Sequence, residues 1–265
     1  ASAPTLKMAT KLGYPTILQE QNSYPGLTNK MLAKKAKKIC VAYEGLERFF
    51  PKEKIVFTGN PVRKTIEKMD ATREESTAFF GLDSNKKTIL SIGGSLGART
   101  INETLHANIE FFKANNLQLI WQTGKWYYST AQKAVADANA GDNIKVFEFI
   151  AAMDKAYCVA DTIISRSGAI AISELCLVGK PTILIPSPNV SEDHQTKNAM
   201  ALVNKGAAIM IADSEIKDKL TPTLKDLIAN NEKQNTMSKA CTNMGVRNAA
   251  NKIVVQLIHG MKTLE

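Results

Sequence analysis

The sequence has little that could form a disulfide framework or a metal centre. Its four cysteines lie far apart and form no Cys-x-x-Cys pair, the spacing on which zinc sites and redox motifs depend. The three histidines are equally scattered, so neither a metal-ligand set nor a Ser-His-Asp arrangement can be assembled from them. We therefore predict no bound metal, and a protein of a reducing, cytoplasmic compartment.

Long apolar runs and aromatic residues are also scarce. No segment approaches the ~20 consecutive apolar residues of a membrane-spanning helix. Aromatic residues make up only 6% of the chain, too few to provide the stacking platforms of a single-strand nucleic-acid binder. The net charge of +9 still favours an anionic partner, and we expect a membrane surface or a phosphorylated substrate rather than nucleic acid.

Short runs of β-branched residues alternate with segments of helical periodicity, as in βα units of a parallel sheet. Strands are predicted at residues 15–19, 38–43, 55–58, 88–93, 117–122, 144–147, 162–165, 182–186 and 207–211. Helices are predicted at residues 28–36, 99–114, 125–138, 170–178, 194–204, 214–229, 231–241 and 246–260. The predicted fold class is α/β, with Rossmann-like parallel sheets flanked by helices.

The segment Gly-Asn-Pro-Val-Arg at residues 59–63 is the predicted linker between two domains, since its proline disfavours helix in the residue before it. This divides the chain into residues 1–60, 61–245 and a terminal helix in 246–265. The first part has too few strands for a domain, and the sequence opens on Ala1. We therefore expect the N-terminal domain to be incomplete and the C-terminal domain to be complete.

A glycine-rich turn connects a predicted strand to a helix at Gly93-Gly94-Ser95-Leu96-Gly97-Ala98. Glycines here allow backbone N–H groups to point inward, and the helix N-terminus adds partial positive charge, which suits a phosphate oxygen. The Ser95 hydroxyl would add a donor. The spacing is neither the Walker pattern nor a full GxGxxG, and a tight turn needed only for packing remains an alternative.

A second turn of this kind follows the strand at 162–165. Free amides at residues 168–170 would form an anion site, with Glu174 further along the same helix. A carboxylate there can accept hydrogen bonds from both hydroxyls of a ribose. Phosphate at the helix tip and ribose along its flank describe a nucleoside diphosphate, although Glu174 is also compatible with a solvated helix position.

Other polar clusters are less specific. Asp193 and Gln195 begin a predicted helix and would contact sugar hydroxyls or, for Asp193, cap the helix. Asn22 follows the first strand at a carboxyl edge, where open α/β sheets bind ligands. Five lysines, at positions 30, 34, 35, 37 and 38, form either a solvated face or a surface for membranes and phosphates.

Six segments of the sequence occur in a fixed order: 19–22 with 25–30, 59–63, 93–98, 149–153, 165–174 and 193–199. In that order they resemble the MurG family of glycosyltransferases, and the likeness covers nearly the whole chain. The resemblance implies a GT-B architecture, in which two Rossmann-like domains face a cleft and the C-terminal one holds most of the nucleotide-sugar donor. It also implies that the terminal helix packs back towards the N-terminal domain.

The resemblance further implies a set of donor contacts. Asn22 and Gln195 would contact N-acetylglucosamine (GlcNAc), Arg63 and Ser95 the diphosphate, and the backbone of Ile150 the uracil. The remaining stretch would hold phosphate and ribose, with Glu174 on the ribose hydroxyls: Ala169, Ile170, Ala171, Ile172, Ser173 and Glu174.

The implied reaction is inverting transfer of GlcNAc from UDP-GlcNAc to lipid I in peptidoglycan synthesis, without a cofactor, at the cytoplasmic face of the plasma membrane. The family's GGTGGH loop, which carries the histidine proposed as base, does not occur in this sequence. The catalytic base is therefore left unassigned, and we expect weak UDP binding without transfer. Another UDP-sugar transferase, an epimerase or a nonenzymatic nucleotide-sugar-binding module are the alternatives.

Overall fold

Two parallel β-sheets form the framework of the protein in a computed structural model that describes residues 2–94 and 97–261. The smaller sheet contains β1 (Ile17–Glu20), β2 (Lys38–Val41) and β3 (Ile55–Phe57), in that spatial order. Helices α1 (Ser2–Lys11) and α2 (Leu27–Leu32) accompany it. Apolar side chains of the strands and of α2 form its core.

The larger sheet has six parallel strands in the spatial order β6-β5-β4-β7-β8-β9. These strands are β4 (Lys87–Ile92), β5 (Leu117–Gln122), β6 (Ile144–Phe147), β7 (Thr162–Ser165), β8 (Thr182–Leu184) and β9 (Ile209–Met210). The order is that of a doubly wound nucleotide-binding sheet. The predicted α/β fold class with Rossmann-like parallel sheets is confirmed.

The helices that follow α2 pack on the two sheets, and the last three of them follow β9 without a strand between them. They are α3 (Lys64–Glu67), α4 (Arg73–Phe80), α5 (Arg99–Ala107), α6 (Ile109–Ala114), α7 (Tyr128–Asp137), α8 (Met153–Val159), α9 (Ala169–Val178), α10 (His194–Val203), α11 (Ile216–Ala229), α12 (Asn231–Asn243) and α13 (Ala249–Met261). Short 3-10 turns lie at Leu46–Arg48, Lys52–Lys54, Ser191–Asp193 and Asp213–Glu215.

Both faces of the larger sheet are buried, as the period of two along β5 shows. Leu119 and Trp121 belong to the core on one face, and Ile120 belongs to the core on the other. All three side chains are fully buried. A parallel sheet requires such cover because its crossover helices pack on both sides.

The helix predicted at residues 99–114 is two helices in the structure. Asn108 lies between α5 and α6 with φ −118° and ψ 22°, and its carboxamide donates a hydrogen bond to the Thr104 carbonyl. An asparagine side chain that bonds to nearby backbone competes with the helix in this way. The last helix likewise begins at Ala249 rather than at residue 246, because Asn248 adopts φ +59°.

The candidate site lies where β4 and β7 are neighbours in the larger sheet, because the order of strands along the chain changes direction there. Ile92 at the end of β4 lies opposite Ser165 at the end of β7, and the Arg166 N–H donates to the Ile92 carbonyl over 3.3 Å. Both strands run in the same direction, so the turns that follow them emerge side by side. Open α/β sheets bind ligands in the crevice that such neighbouring turns form.

Two chain segments pass between the sheets. Residues 58–63 lead from the smaller sheet to α3, and α13 returns to lie against β1 and β2. Asn60 is buried, and its side chain donates to the Gln21 carbonyl and to the Ser173 hydroxyl. This asparagine therefore ties both sheets together, while the domain boundaries at 60 and 245 remain predictions.

Two glycines in the turn after β4 allow the cost of a strained backbone to be measured apart from the cost of a steric clash. Gly94 and Gly97 both have φ +80°, but a Cβ atom at Gly94 meets open space, whereas one at Gly97 collides with the Thr123 carbonyl oxygen. We expect Gly94→Ala to lower the free energy of unfolding by about 1 kcal/mol and Gly97→Ala by roughly 3 kcal/mol. Urea denaturation measures both; equal losses would contradict the collision.

Candidate functional site

Two adjoining cavities open at the carboxyl edge of the larger sheet, where β4 and β7 meet. One, of about 550 Å³, is lined by Arg63, Gln122, Ile150 and Glu174 among others. The other, of about 510 Å³, extends past both turns to Gln195. The two cavities share Ile92, Gly94 and Ala171 as walls, so an elongated ligand can occupy both.

The first glycine turn brings backbone N–H groups to this edge. The Gly97 N–H donates to the Gly94 carbonyl over 3.0 Å, which closes a tight turn directly before α5. Ala98, at the N-cap of α5, provides no side-chain cap, so the first amides of the helix are left for a ligand or solvent. The predicted diphosphate contact Ser95 lies outside the described residues.

The second turn has the same character. Gly168 is the N-cap of α9, with an extended backbone and no side-chain cap, and an anion site at this helix start stays a prediction. Ile170 and Ala171, in the first turn of α9, line the cavities directly. Ser173 instead donates to the Ala169 carbonyl and accepts from Asn60, and the Ile172 side chain is buried in the core.

Arg166, within the second turn, holds neighbouring loops together. Its guanidinium donates to the Ile185 carbonyl at 3.1 Å, to the Thr100 hydroxyl at 2.9 Å and to the Asp213 carboxylate. This guanidinium thus joins the start of α5 to the loops after β7, β8 and β9. Both charged side chains are largely buried, so the pair acts as a fixed brace for the site wall.

Arg63 and Glu174, which were predicted to bind different parts of the donor, are bound to each other. Arg63 Nε and Nη2 donate to the two carboxylate oxygens of Glu174, each over 2.9 Å. The Glu174 side chain is only 6% exposed and that of Arg63 is 46% exposed. The hydrogen bonds with Glu174 raise the pKa of Arg63 above its ordinary value.

Tyr157 completes the environment of this carboxylate. Its hydroxyl donates to Glu174 Oε2 over 3.1 Å from a fully buried position on α8. Burial, followed by the neighbouring Glu174 carboxylate, raises the pKa of Tyr157 well above its ordinary value, so the phenol stays neutral and donates. Glu174 therefore accepts three hydrogen bonds, two from Arg63 and one from Tyr157, and its contact with ribose hydroxyls stays a prediction.

Ile150, the predicted uracil contact, lies in the loop after β6 and lines the first cavity. Its N–H donates to the side-chain oxygen of Gln122 over 3.3 Å. The Ile150 side chain is buried, while the neighbouring Phe149 ring is 60% exposed at the cavity wall. The structure thus brings Ile150, Arg63 and Glu174 to one cavity.

The two predicted sugar contacts differ in position: Gln195 lines the second cavity, whereas Asn22 is not among the residues that line either cavity. Asn22 follows β1, and its side-chain oxygen accepts from Asn198 on α10 over 3.0 Å. Gln195 lies three residues before Asn198, on the same helix face, and its side-chain oxygen accepts from the Ser187 N–H. Asn22 and the helix that carries Gln195 are therefore direct neighbours, although 173 positions separate these two residues in the sequence.

Several buried polar residues support the site without having been predicted. Glu20 is buried and accepts from the Asn22 and Gly26 N–H groups and from the Asn29 side chain, which fixes the Asn22 loop. Asn198, Tyr157 and Gln122 are the others. Their common signal in the sequence is a polar group inside an apolar element, where a partner is obligatory.

Within 2–94 and 97–261, no three His, Cys, Asp or Glu side chains are grouped so that they could hold a metal ion.

Comparison with known proteins decides the family. Residues 88–253 match the glycosyltransferase family 28 C-terminal domain. A curated relative from Parabacteroides distasonis is 54% identical over 258 residues, covering 97% of this chain and 70% of its own length. It is named UDP-N-acetylglucosamine--N-acetylmuramyl-(pentapeptide) pyrophosphoryl-undecaprenol N-acetylglucosamine transferase, as is a relative from Bacteroides fragilis that is 52% identical, with coverage of 97% and 68%.

The chain belongs to glycosyltransferase family 28. The crystal structure of Acinetobacter baumannii MurG superimposes with a TM-score of 0.75 at 29% identity, covering 96% of this chain and 70% of that one. The resemblance to the MurG family that the six segments predicted is confirmed, as is the GT-B type of architecture. Staphylococcus aureus MnaA, solved with UDP, has a TM-score of 0.70 at 16% identity and shares the fold alone with this family 28 chain.

Proposed function

We propose that this chain is an inverting glycosyltransferase that moves GlcNAc from UDP-GlcNAc to lipid I, the undecaprenyl-pyrophosphoryl-MurNAc-pentapeptide, to form lipid II. The observation that carries the proposal is the pair of uncapped glycine turns at the junction of β4 and β7, inside a family 28 domain. The names of the relatives at 52–54% identity support the donor and the acceptor.

In the proposed complex the diphosphate lies between the two turns. Amides at the starts of α5 and α9 donate to its oxygens, and Arg63 turns from Glu174 towards its charge, with Ser95 as a further donor. Backbone amides at a helix N-terminus are suited to phosphate because they are unpaired and carry partial positive charge. The stretch from Ala169 to Ser173 forms the adjoining wall.

The ribose and the base then extend along the first cavity. Glu174 accepts hydrogen bonds from the ribose hydroxyls in place of those from Arg63, while Tyr157 remains its third donor. The uracil meets the backbone at Ile150. Because Arg63 and Glu174 both line this cavity, binding replaces the Arg63 hydrogen bonds of Glu174 with hydrogen bonds from the ribose, and the buried carboxylate oxygens keep their donors.

The GlcNAc unit faces Asn22 and Gln195 across the crevice. The acceptor's sugar hydroxyl attacks the anomeric carbon from the side opposite to the diphosphate and gives its proton to a general base, which is left unassigned. The bond between the anomeric carbon and the diphosphate oxygen breaks, and UDP leaves with the electron pair. Negative charge then grows on the leaving diphosphate, where Arg63 and the helix amides stabilise it. Donors that are fixed before the reaction give the largest stabilisation of this kind.

A donor panel tests the substrate. In calorimetric titrations of the chain, we expect UDP-GlcNAc to bind about tenfold more tightly than UDP-GalNAc, which differs only at the sugar 4-hydroxyl, because one or two hydrogen bonds from Asn22 and Gln195 are at stake. UDP is the reference ligand, and both UDP-sugars should bind with the same number of molecules per chain as UDP. Preference for another UDP-sugar would replace the GlcNAc assignment, and absence of heat with all three would refute the donor site.

Glu174→Ala tests the ribose contact. We expect this variant to lose about tenfold in affinity for UDP and less than about threefold for 2′,3′-dideoxy-UDP, since only UDP has hydroxyls to lose. The variant also releases Arg63, but this affects both ligands equally. The ratio of the two losses in affinity therefore reports the contribution of the ribose hydroxyls alone. Asp226→Ala, which removes a lysine-paired carboxylate from the surface away from both cavities, is the control. Equal losses for the two nucleotides would show that Glu174 does not contact the diol.

We further propose that the protein associates peripherally with the cytoplasmic face of the plasma membrane through a basic surface. None of the described helices is long and apolar enough to cross a bilayer. Leu27 and Met31 on α2 are each 64% exposed, beside the lysines at positions 30, 34, 35, 37 and 38. Exposed apolar side chains next to lysines match the headgroup region of an anionic leaflet.

Charge reversal tests this surface. At about 1 kcal/mol per lysine, the triple variant Lys34→Glu, Lys35→Glu, Lys37→Glu should reduce binding to phosphatidylglycerol-containing vesicles at least about tenfold in a sedimentation assay. The control reverses three exposed lysines elsewhere, Lys217, Lys225 and Lys239, with the same change in net charge. Similar losses in both variants would mean that net charge, rather than this surface, drives association.

A further inference from the structure

A buried carboxamide stands between the two ends of the proposed nucleotide site. Gln122 is the last residue of β5, a strand in which all six side chains are buried. It is 3% exposed and lines the same cavity as Arg63, Ile150 and Glu174. Burial of an amide in an apolar strand is unfavourable unless both its donor and its acceptor are used.

The donor and the acceptor of the Gln122 amide each form a hydrogen bond, and the two partners lie on different loops. Gln122 Nε2 donates to the Gly94 carbonyl over 3.2 Å, and Gln122 Oε1 accepts from the Ile150 N–H over 3.3 Å. Gly94 belongs to the glycine turn after β4, where the diphosphate is proposed to bind. Ile150 belongs to the loop after β6, where the base is proposed to bind. One side chain therefore bridges the phosphate end and the base end.

Gln122 contacts the same carbonyl group that closes the glycine turn. The Gly94 carbonyl also accepts from the Gly97 N–H, the hydrogen bond that closes the turn before α5. Gln122 Nε2 and the Gly97 N–H thus share the Gly94 carbonyl, so the Gln122 side chain supports the hydrogen bond that closes the turn. On the other side it fixes the backbone at Ile150.

We propose that Gln122 is a positioning residue that sets the spacing between the diphosphate-binding turn and the base-binding loop, so that recognition of the two ends of UDP is coupled. The proposal rests on the proposed function, since it concerns the same donor site. UDP joins base and diphosphate through one ribose, so both loops must stand at the matching distance before it binds. A site already ordered at that distance binds more tightly than one that must be ordered by the ligand.

The same strand offers a matched control at its other end. Gln118 lies on the same face of β5, is 1% exposed, and likewise uses both amide groups, on the backbone of Asp83. It lies at the amino edge of the sheet, away from the cavities. Gln→Met at either position keeps an unbranched side chain of similar length and removes both hydrogen bonds.

The experiment measures the affinities of UDP, CDP and UMP for the wild type, Gln122→Met and Gln118→Met by calorimetry, with thermal unfolding of each. For Gln122→Met we expect UDP affinity to fall about tenfold, and both the preference for UDP over CDP and the preference for UDP over UMP to fall at least about threefold. For Gln118→Met we expect a similar loss of thermal stability with both preferences unchanged.

The preferences for UDP over CDP and over UMP distinguish a positioning role from a merely structural one. Loss of a merely structural residue would weaken the binding of all three nucleotides equally, or of none. Unchanged preferences in Gln122→Met would overturn the inference. Should that variant not fold, Gln122→Asn retains the amide but is one methylene too short to span both loops, and the same drop in preferences is expected. Failure of the wild type to bind UDP would instead refute the proposed function.

Discussion

Parallel hydrogen bonding between β4 and β7 is the constraint on which the site depends. It places Ile92 opposite Ser165 at the one position in the larger sheet where the crossover connections change direction. Two strand-to-helix turns, 73 residues apart in sequence from Gly93 to Arg166, therefore start from the same edge. Their uncapped helix starts, the Arg166 brace and the cavities between them are consequences of this pairing.

A second constraint is that polar groups buried at the site are already paired with each other. Glu174 is held by Arg63 and Tyr157, and the Ile150 N–H is held by Gln122. Such pairing avoids the cost of buried unsatisfied groups and keeps the side chains near the positions that the donor needs. In the proposed complex, nucleotide binding is an exchange of partners, and Arg63, whose side chain is 46% exposed against 6% for Glu174, is the group that moves.

The sequence predicted the parts of this arrangement that are local. A glycine turn between a strand and a helix is a contiguous signal, so the turns around Gly94 and Gly168 and the α/β class followed directly. Partners distant in sequence were beyond such reasoning: 111 residues separate Arg63 from Glu174, and 28 separate Gln122 from Gly94. The break at Asn108 was missed because it depends on a side-chain hydrogen bond that competes with the helix, which apolar periodicity does not register.

The most direct measurement for the central claim is a two-dimensional 1H–15N NMR titration of the chain with UDP. The account predicts that the amide signals of Gly93, Gly94 and Gly168 and the side-chain Nε–H signal of Arg63 shift together with a single affinity, since the nucleotide occupies the crevice and draws Arg63 from Glu174. Saturation with UDP that leaves these four signals in place, while signals at the amino edge of the sheet move, would contradict it.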